Sequence, residues 1–333
     1  MKYLNTVLLF LALSFFCFAC TAPNREKKKS ELENWLQDNG KIKVLATTSI
    51  VADLVSVIGK ERIDLITLIY GEVDPHTYEL LKGDGEKLQY AELIFASGLG
   101  LEHGASLQRH LQLHSNTVFL GNEIQKNYPE LIITKDKQID PHLWMDVSLW
   151  SKGIDSIVAA LSFLDPASKE QFEKNAVVAR ALFEKIDQEI LAKMQSIPEK
   201  KRFLVTSHDA FNYFTKRYLA TLQETETNTW EKRCIAPEGL APEGQLSVAD
   251  IQAVIRQIKE YDIHMLFPES NVGKDSLKKI VYACREKGMD VAMSSESLYA
   301  DAMGPQSGPA GTYLGMMQHD AIVILNGWTG SNE

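Results

Sequence analysis

From Pro166 to Ile197 the chain contains no internal glycine or proline, and the apolar residues Phe172, Ala176, Ala179, Leu182, Ile186, Ile190, Leu191 and Met194 recur at helical intervals. A helix of about 30 residues is a rod of roughly 45 Å, longer than the three or four turns usual in a globular domain. A rod of that length suits a strut between two bodies, so the segments on either side of it are to be read separately.

Both flanks alternate strand and helix patterns. Before the rod, Lys41–Thr47 reads as a strand, Ser49–Ile58 as a helix stopped by Gly59, and Ile63–Ile69 as the next strand. Asp84–Ala91 follows as a helix with Asp84 as its N-cap, then Leu93–Ala96 as a buried strand. Beyond Pro198, Phe203–Thr206 is a strand ending at Ser207-His208, Val248–Tyr261 a helix, Met265–Pro268 a strand edge and Asp275–Lys287 a helix. Val291–Met293 then opens a strand that leads to Leu298-Tyr299-Ala300-Asp301. This rhythm predicts parallel βαβ units and an α/β fold of two Rossmann-like lobes joined by one long rigid helix. The boundaries expected are 41–165 for the N-terminal lobe, 166–198 for the linking helix and 199–333 for the C-terminal lobe. The halves share no visible sequence identity, so they are not read as a repeat.

The first residues read as an export signal, 1–19: Lys2 supplies a minimal positive start, and Val7–Phe18 is an apolar run too short to span a bilayer. It ends in Cys17-Phe18-Ala19-Cys20, which resembles a bacterial lipobox, with Cys20 as the lipidated residue; Cys17 and Phe18 depart from the usual leucine and small residue. A polar tether, 20–40, follows, with a charge run at Arg25–Lys29 and a weak helix at 31–37. The body is therefore expected outside the cytoplasm, anchored to a membrane by lipid. No other segment reaches 18 uninterrupted apolar residues. A formal net charge of −9 argues against nucleic acid as a partner. Two cysteines remain in the body, Cys234 and Cys284. In an oxidising compartment they could pair, closing a loop of about 50 residues for roughly 4 kcal/mol, or remain two separate thiols.

The tripeptide Asp-Pro-His occurs twice, at 74–76 and 140–142. Proline fixes its own φ and holds the preceding residue extended, so His76 and His142 are each presented on a stiffened loop, as a metal site built from distant segments requires. In α/β sheets ligands bind beyond the carboxyl ends of strands. His76 and His208 lie just past predicted strands, Asp301 a few residues past one, and His142 after the weaker apolar run Leu131-Ile132-Ile133. Two residues from each lobe would make a site of three imidazoles and a carboxylate in the interlobe cleft, a donor set that suits zinc, manganese or ferrous iron. Glu269 and Glu296 also follow predicted strands and compete with Asp301 for the carboxylate position. Asp74 and Asp140 either accept from the histidine rings, as Glu269 could, or cap the following helices. His103, His110, His114, His264 and His319 read as ordinary surface or helix residues.

With those residues collected, the chain resembles the cluster A-I solute-binding proteins, the metal-binding lipoproteins that feed ABC importers of manganese, zinc and iron. The likeness runs from about Lys41 to Trp328 through VLATTSIVADLVSVIG (44–59), VDPHTYEL (73–80), LIFASGLGLE (93–102), DPHLWMDV (140–147) and TSHDAFNYFTKRY (206–218). It continues with APEGQLSVADI (241–251), FPESNVGKDSLKKI (267–280) and LYADAMGPQSGPAGTYLGMM (298–317). The resemblance implies metal ligands at His76, His142, His208 and Asp301, an ion held between two modestly closing lobes, and a monomer that serves a permease with its ATPase. It implies no enzyme activity. The histidine-rich loop common in zinc importers is absent from Gly104–Lys137, and the third ligand is histidine where some manganese-binding members carry glutamate. On these grounds Mn2+ or Fe2+ is expected in preference to Zn2+. The rival readings are a zinc-dependent hydrolase, for which no catalytic motif is present, and an adhesin or structural lipoprotein.

Overall fold

The structure is a computed structural model that describes residues 32–135, 137–241 and 247–330. The expected signal segment 1–19 and the expected lipidation residue Cys20 lie outside the described residues, as does the expected tether up to 31. Of the helix expected at 31–37, one turn at 32–35 is formed. Residues 32–40 belong to one unit, and the chain from Lys41 makes the body described below.

The body opens with a parallel four-stranded sheet, β1 (Ile42–Thr48), β2 (Ile63–Ile69), β3 (Leu93–Ala96) and β4 (Thr117–Phe119), in the order β2-β1-β3-β4. β1 is buried along nearly its whole length, as a central parallel strand covered on both faces must be. The crossover helices are α1 (Ser49–Gly59), α2 (Asp84–Tyr90) and α3 (Ala105–Leu113), and α4 (Leu120–Asn127) follows β4. The hydroxyl of Thr48, the last residue of β1, caps α1 by accepting from Val51 N at 3.3 Å. Gly59 closes that helix as its last residue. The cap expected at Asp84 is not formed, because Gly83 at φ 98° occupies the cap position. The Asp84 carboxylate instead accepts from Tyr78 Oη at 2.5 Å and Leu81 N at 2.8 Å.

The apolar run Leu131-Ile132-Ile133 forms no strand. Pro129 starts a 3-10 turn over Pro129–Leu131, a position its fixed φ favours. A short antiparallel hairpin, β5 (Thr134–Lys135) with β6 (Gln138–Ile139), then delivers the chain to Asp140.

The rod is α6 (Lys169–Gln195), 27 residues long, preceded by α5 (Gly153–Leu164) and a 3-10 turn at Pro166–Ser168. Its buried stripe is Phe172, Ala176, Ala179, Phe183, Ile186, Asp187, Ile190 and Met194. Leu182, expected in that stripe, is exposed; the neighbouring Phe183 takes the inward position and stacks on Tyr313 at 5.5 Å between ring centroids. Spacing alone could not choose between two adjacent apolar residues, and the larger ring buries more area.

After α6 come β7 (Leu204–Val205), β8 (Cys234–Ile235), β9 (Met265–Leu266) and β10 (Ala292–Met293), paired in parallel as β7 with β8 and β9 with β10. Phe267 N donates to Val205 O at 2.8 Å, which joins the two pairs. Helices α7 (Val248–Glu260), α8 (Asp275–Glu286) and α9 (Tyr313–Thr329) complete this half. The α/β character, the parallel sheet and the long helix are as expected. One apolar cluster runs from β1 and α1 through α5 and α6 to Phe267, Leu298 and Tyr313, so both halves pack on the rod. A smaller cluster lies between α7, α8 and β9.

Cys234 and Cys284 are both free, buried thiols, which corrects the possible disulfide. Cys234 belongs to the large cluster and Cys284 to the small one, so each is packed among different neighbours.

Candidate metal centre

His76 lies on the irregular segment after β2. Asp74 Oδ1 accepts from His76 N at 2.8 Å, and Asp74 Oδ2 from the Thr77 hydroxyl at 3.2 Å. Asp74 therefore shapes the turn and leaves the ring alone. The second Asp-Pro-His works differently. Asp140 Oδ1 takes both the backbone N–H of His142 at 3.0 Å and its ring Nδ1 at 2.7 Å. Asp140 is itself anchored: Asn212 Nδ2 donates to its Oδ2 at 2.9 Å and Tyr213 Oη to its carbonyl at 3.1 Å.

His208 follows β7. Glu269 Oε1 accepts from Ser207 N at 2.8 Å and His208 N at 2.9 Å, while Glu269 Oε2 sits against ring Nδ1 of His208. Asp301 follows the parallel bridge between Glu269 and Leu298, and Asn271 Nδ2 donates to its Oδ2 at 3.1 Å. By taking Nδ1 of His142, Asp140 fixes that ring's orientation and turns Nε2 away from itself, and Glu269 stands on the same Nδ1 side of His208.

These side chains converge. One ligand atom from each of His76, His142, His208 and Asp301 lies within 4.8 Å of all the others. His76 Nε2 is 3.3 Å from His142 Nε2, and the Asp301 carboxylate is 3.4 Å from His142 Nε2, 3.2 Å from His208 Nε2 and 3.9 Å from His76 Nε2. Four donors held about 2.1 Å from a common centre in a tetrahedron stand roughly 3.4 Å apart, so the separations match a coordination shell. All four residues are buried, none above 3% exposed. His208 Nε2 and Asp301 Oδ1 make no hydrogen bond of acceptable angle despite that closeness. Buried polar atoms left this way are costly unless something else satisfies them, and a cation does.

The electrostatics point the same way. Burial lowers the His76 pKa, reinforced by the neighbouring imidazoles and only partly offset by Asp301, to about 3. For His142 burial also works downward, but the Asp140 carboxylate and then Asp301 outweigh it and push the pKa up to about 9. His208 behaves alike: Glu269 and Asp301 overcome burial and hold it well above the ordinary histidine range. Burial would raise Asp301, yet the His208 and His142 imidazoles keep it ionised, well below the usual carboxylate range. The cluster is thus a concentrated acceptor of positive charge, filled by protons when nothing else is bound.

Comparison with known proteins settles the lineage. The family described as ZnuA, zinc-uptake complex component A periplasmic, matches residues 44–327. The chain belongs to this family. Among its relatives, the metal-binding protein YtgA of Chlamydia muridarum is 35% identical over 97% of this chain and 95% of its own. The manganese-binding lipoprotein MntA of Bacillus subtilis is 32% identical over 95% and 97%. A crystal structure of Fe(III)-bound YtgA from Chlamydia trachomatis superposes with a TM-score of 0.82 at 36% identity, covering 87% of this chain and 98% of that one.

The positions at which the resemblance to cluster A-I solute-binding proteins implied ligands, His76, His142, His208 and Asp301, are the positions that converge, and Glu269 and Asp140 are the carboxylates behind two of the rings. Glu296, the other carboxylate weighed, is not in the cluster. Sequence reasoning missed Asn212, Asn271 and Trp144, whose contacts depend on residues tens to more than a hundred positions away and leave no local pattern. It also passed over His103, whose ring centroid lies 5.7 Å from that of His76.

Proposed function

We propose that this protein is an extracytoplasmic solute-binding lipoprotein that captures one divalent transition-metal ion and hands it to an ABC permease with its ATPase. His76, His142 and His208 bind the ion through Nε2 and Asp301 through its carboxylate. The observation that carries the reading is the mutual spacing of those donors, near the roughly 3.4 Å edge of a tetrahedral shell.

The lobes are taken as 41–165 and 199–333, joined by the helix within 166–198. Ligands drawn from both lobes make ion binding a coupling between them, which gives a permease a difference to recognise. A lipid on Cys20 would keep the protein, a monomer, at the membrane. Manganese or iron is favoured as cargo over zinc: no histidine-rich loop is present, MntA is described as manganese-binding, and the YtgA of Chlamydia trachomatis has been crystallised with Fe(III). Intrinsic affinity at nitrogen and oxygen donors runs the other way, so supply, geometry or transport must supply the selectivity. Hydrolysis is disfavoured because Asp301 fills the position an activated water needs.

The test is titration of chelator-stripped protein with Mn(II), Fe(II) and Zn(II). One equivalent should bind and raise the melting temperature by several degrees, as linkage requires. A cell lacking the gene should lose high-affinity uptake of the physiological metal and regain it with the wild-type chain but not with His142→Ala. Absence of binding, or uptake restored by His142→Ala, would count against the proposal.

A further inference from the structure

The segment that carries Asp301 is held from two sides. Leu298 N donates to Pro268 O at 2.8 Å and Tyr299 N to Asp320 Oδ1 at 3.0 Å, both contacts within the second half of the chain. One residue on, the Ala300 carbonyl accepts the indole N–H of Trp144, from the first half, at 2.7 Å. Further along, Tyr313 N donates to Asp53 Oδ2 at 3.2 Å, and the Tyr313 hydroxyl to the Trp144 carbonyl at 2.6 Å. Asp301 therefore lies in a stretch whose flanks, Ala300 and Tyr313, are both attached to the first half, with Trp144 a party to both attachments.

Trp144 also adjoins His142. It sits in the 3-10 turn Leu143–Met145 that follows this ligand, with its ring 5.4 Å from the imidazole in an edge-on arrangement. It is 1% exposed, so no bulk water can replace Ala300 as its acceptor. The carbonyl it holds belongs to the same planar peptide as the Asp301 nitrogen. Fixing that plane fixes the position of the Asp301 Cα and the axis of its N–Cα bond, from which the side chain departs.

The geometry points to Trp144 as the positioning residue that sets Asp301 against His142, so that two ligands 159 positions apart in the sequence are presented as one preassembled pair. This rests on the metal-binding reading above and adds a consequence to it. Relative motion of the two halves separates His208 from that pair, and does not divide the site into His76 with His142 and His208 with Asp301. The contact such motion breaks at the carboxylate is the one from Asn271.

Trp144→Phe keeps a buried aromatic ring and removes the N–H. Trp150→Phe is a matched control: that indole is equally buried, lies 6.2 Å from the Trp144 ring, and its N–H has no hydrogen-bond partner. Both variants and the wild type are titrated with Mn(II) and Co(II), and the Co(II) ligand-field spectrum is recorded. Trp144→Phe should weaken binding roughly 10–100-fold and change the spectrum, whereas Trp150→Phe should do neither. In an Asp301→Ala background, Trp144→Phe should cost no further affinity. If Trp144→Phe does not fold, Tyr313→Phe, which releases the Trp144 carbonyl, should shift affinity and spectrum in the same direction. The inference is overturned if the two tryptophan variants match in affinity and spectrum, or if the Trp144 effect persists undiminished without Asp301. A wild type that binds neither ion overturns the metal-binding reading itself.

Discussion

The carboxylate of Asp140 lies 2.7 Å from ring Nδ1 of His142, two residues along the same tripeptide, whereas Asp74 in the other copy touches only the backbone of His76 and the Thr77 side chain. One short motif thus serves two purposes: Asp140 orients a ring, and Asp74 shapes a turn. The difference is enforced from outside the motif, since Asn212 and Tyr213 grip Asp140 from the other half of the chain.

Asp140→Ala should accordingly lower metal affinity roughly 10–100-fold, in the range found when a group orienting a ligating histidine is removed. Asp74→Ala should cost clearly less. Competition titrations of the two variants against a chromogenic chelator make the comparison; equal losses would mean that the ring contact has no special role.

Metal affinity should rise with pH between about 6 and 9. In the metal-free protein His142, at about 9, and His208, raised well above the ordinary value, carry protons at neutral pH, while His76, at about 3, does not. Because both folded pKa values are raised, the stability these protons contribute is fully present below the unfolded value of about 6.5 and is lost as pH climbs through the folded ones. The loaded form needs neutral rings, so it gains as the free form loses. The gap in melting temperature between loaded and metal-free protein should therefore widen from pH 6 to pH 8.5, with proton release on binding. A gap that stays flat would contradict the protonation states.

Much of this site was legible in the chain because its strongest signals are local. Two prolines lock His76 and His142 into recognisable loops, and His208 follows a short β run. Asp301 was the harder choice, since Glu269 and Glu296 sit in comparable places after predicted strands. Only the fold shows Glu269 turned onto the His208 ring and Asp301 into the cluster. The rod was read from the absence of helix breakers, but its buried face was misplaced at Leu182, because helical spacing allows either of two neighbours and tertiary contact with Tyr313 chooses Phe183. Cysteine pairing was open for a similar reason: spacing along a chain does not give distance across a fold.

Cys234 and Cys284 should resist alkylation in the folded protein and react fully on denaturation. Both are buried, and burial pushes the Cys234 thiol up to about 12, which leaves almost no thiolate to react. Mass spectrometry of peptides after brief iodoacetamide treatment reads this directly, and a reductant should not change the melting temperature. A disulfide-linked peptide pair would refute the assignment.

Phe183→Ala should destabilise the protein by about 3–5 kcal/mol, the usual cost of truncating a buried aromatic ring. Phe183 is 2% exposed and stacks on Tyr313, the residue at the start of α9. Urea unfolding of the metal-free form measures the loss; a change below about 1 kcal/mol would show that the rod does not depend on this contact.

The central claim is that four side chains, far apart in sequence, surround one cation. X-ray absorption at the metal edge of protein loaded with a single equivalent of Mn(II) or Fe(II) tests it most directly. The account predicts three imidazole nitrogens and one or two carboxylate oxygens near 2.1 Å, with one imidazole lost in His142→Ala. A shell of water oxygens without imidazole scattering, or one unchanged in His142→Ala, would contradict it.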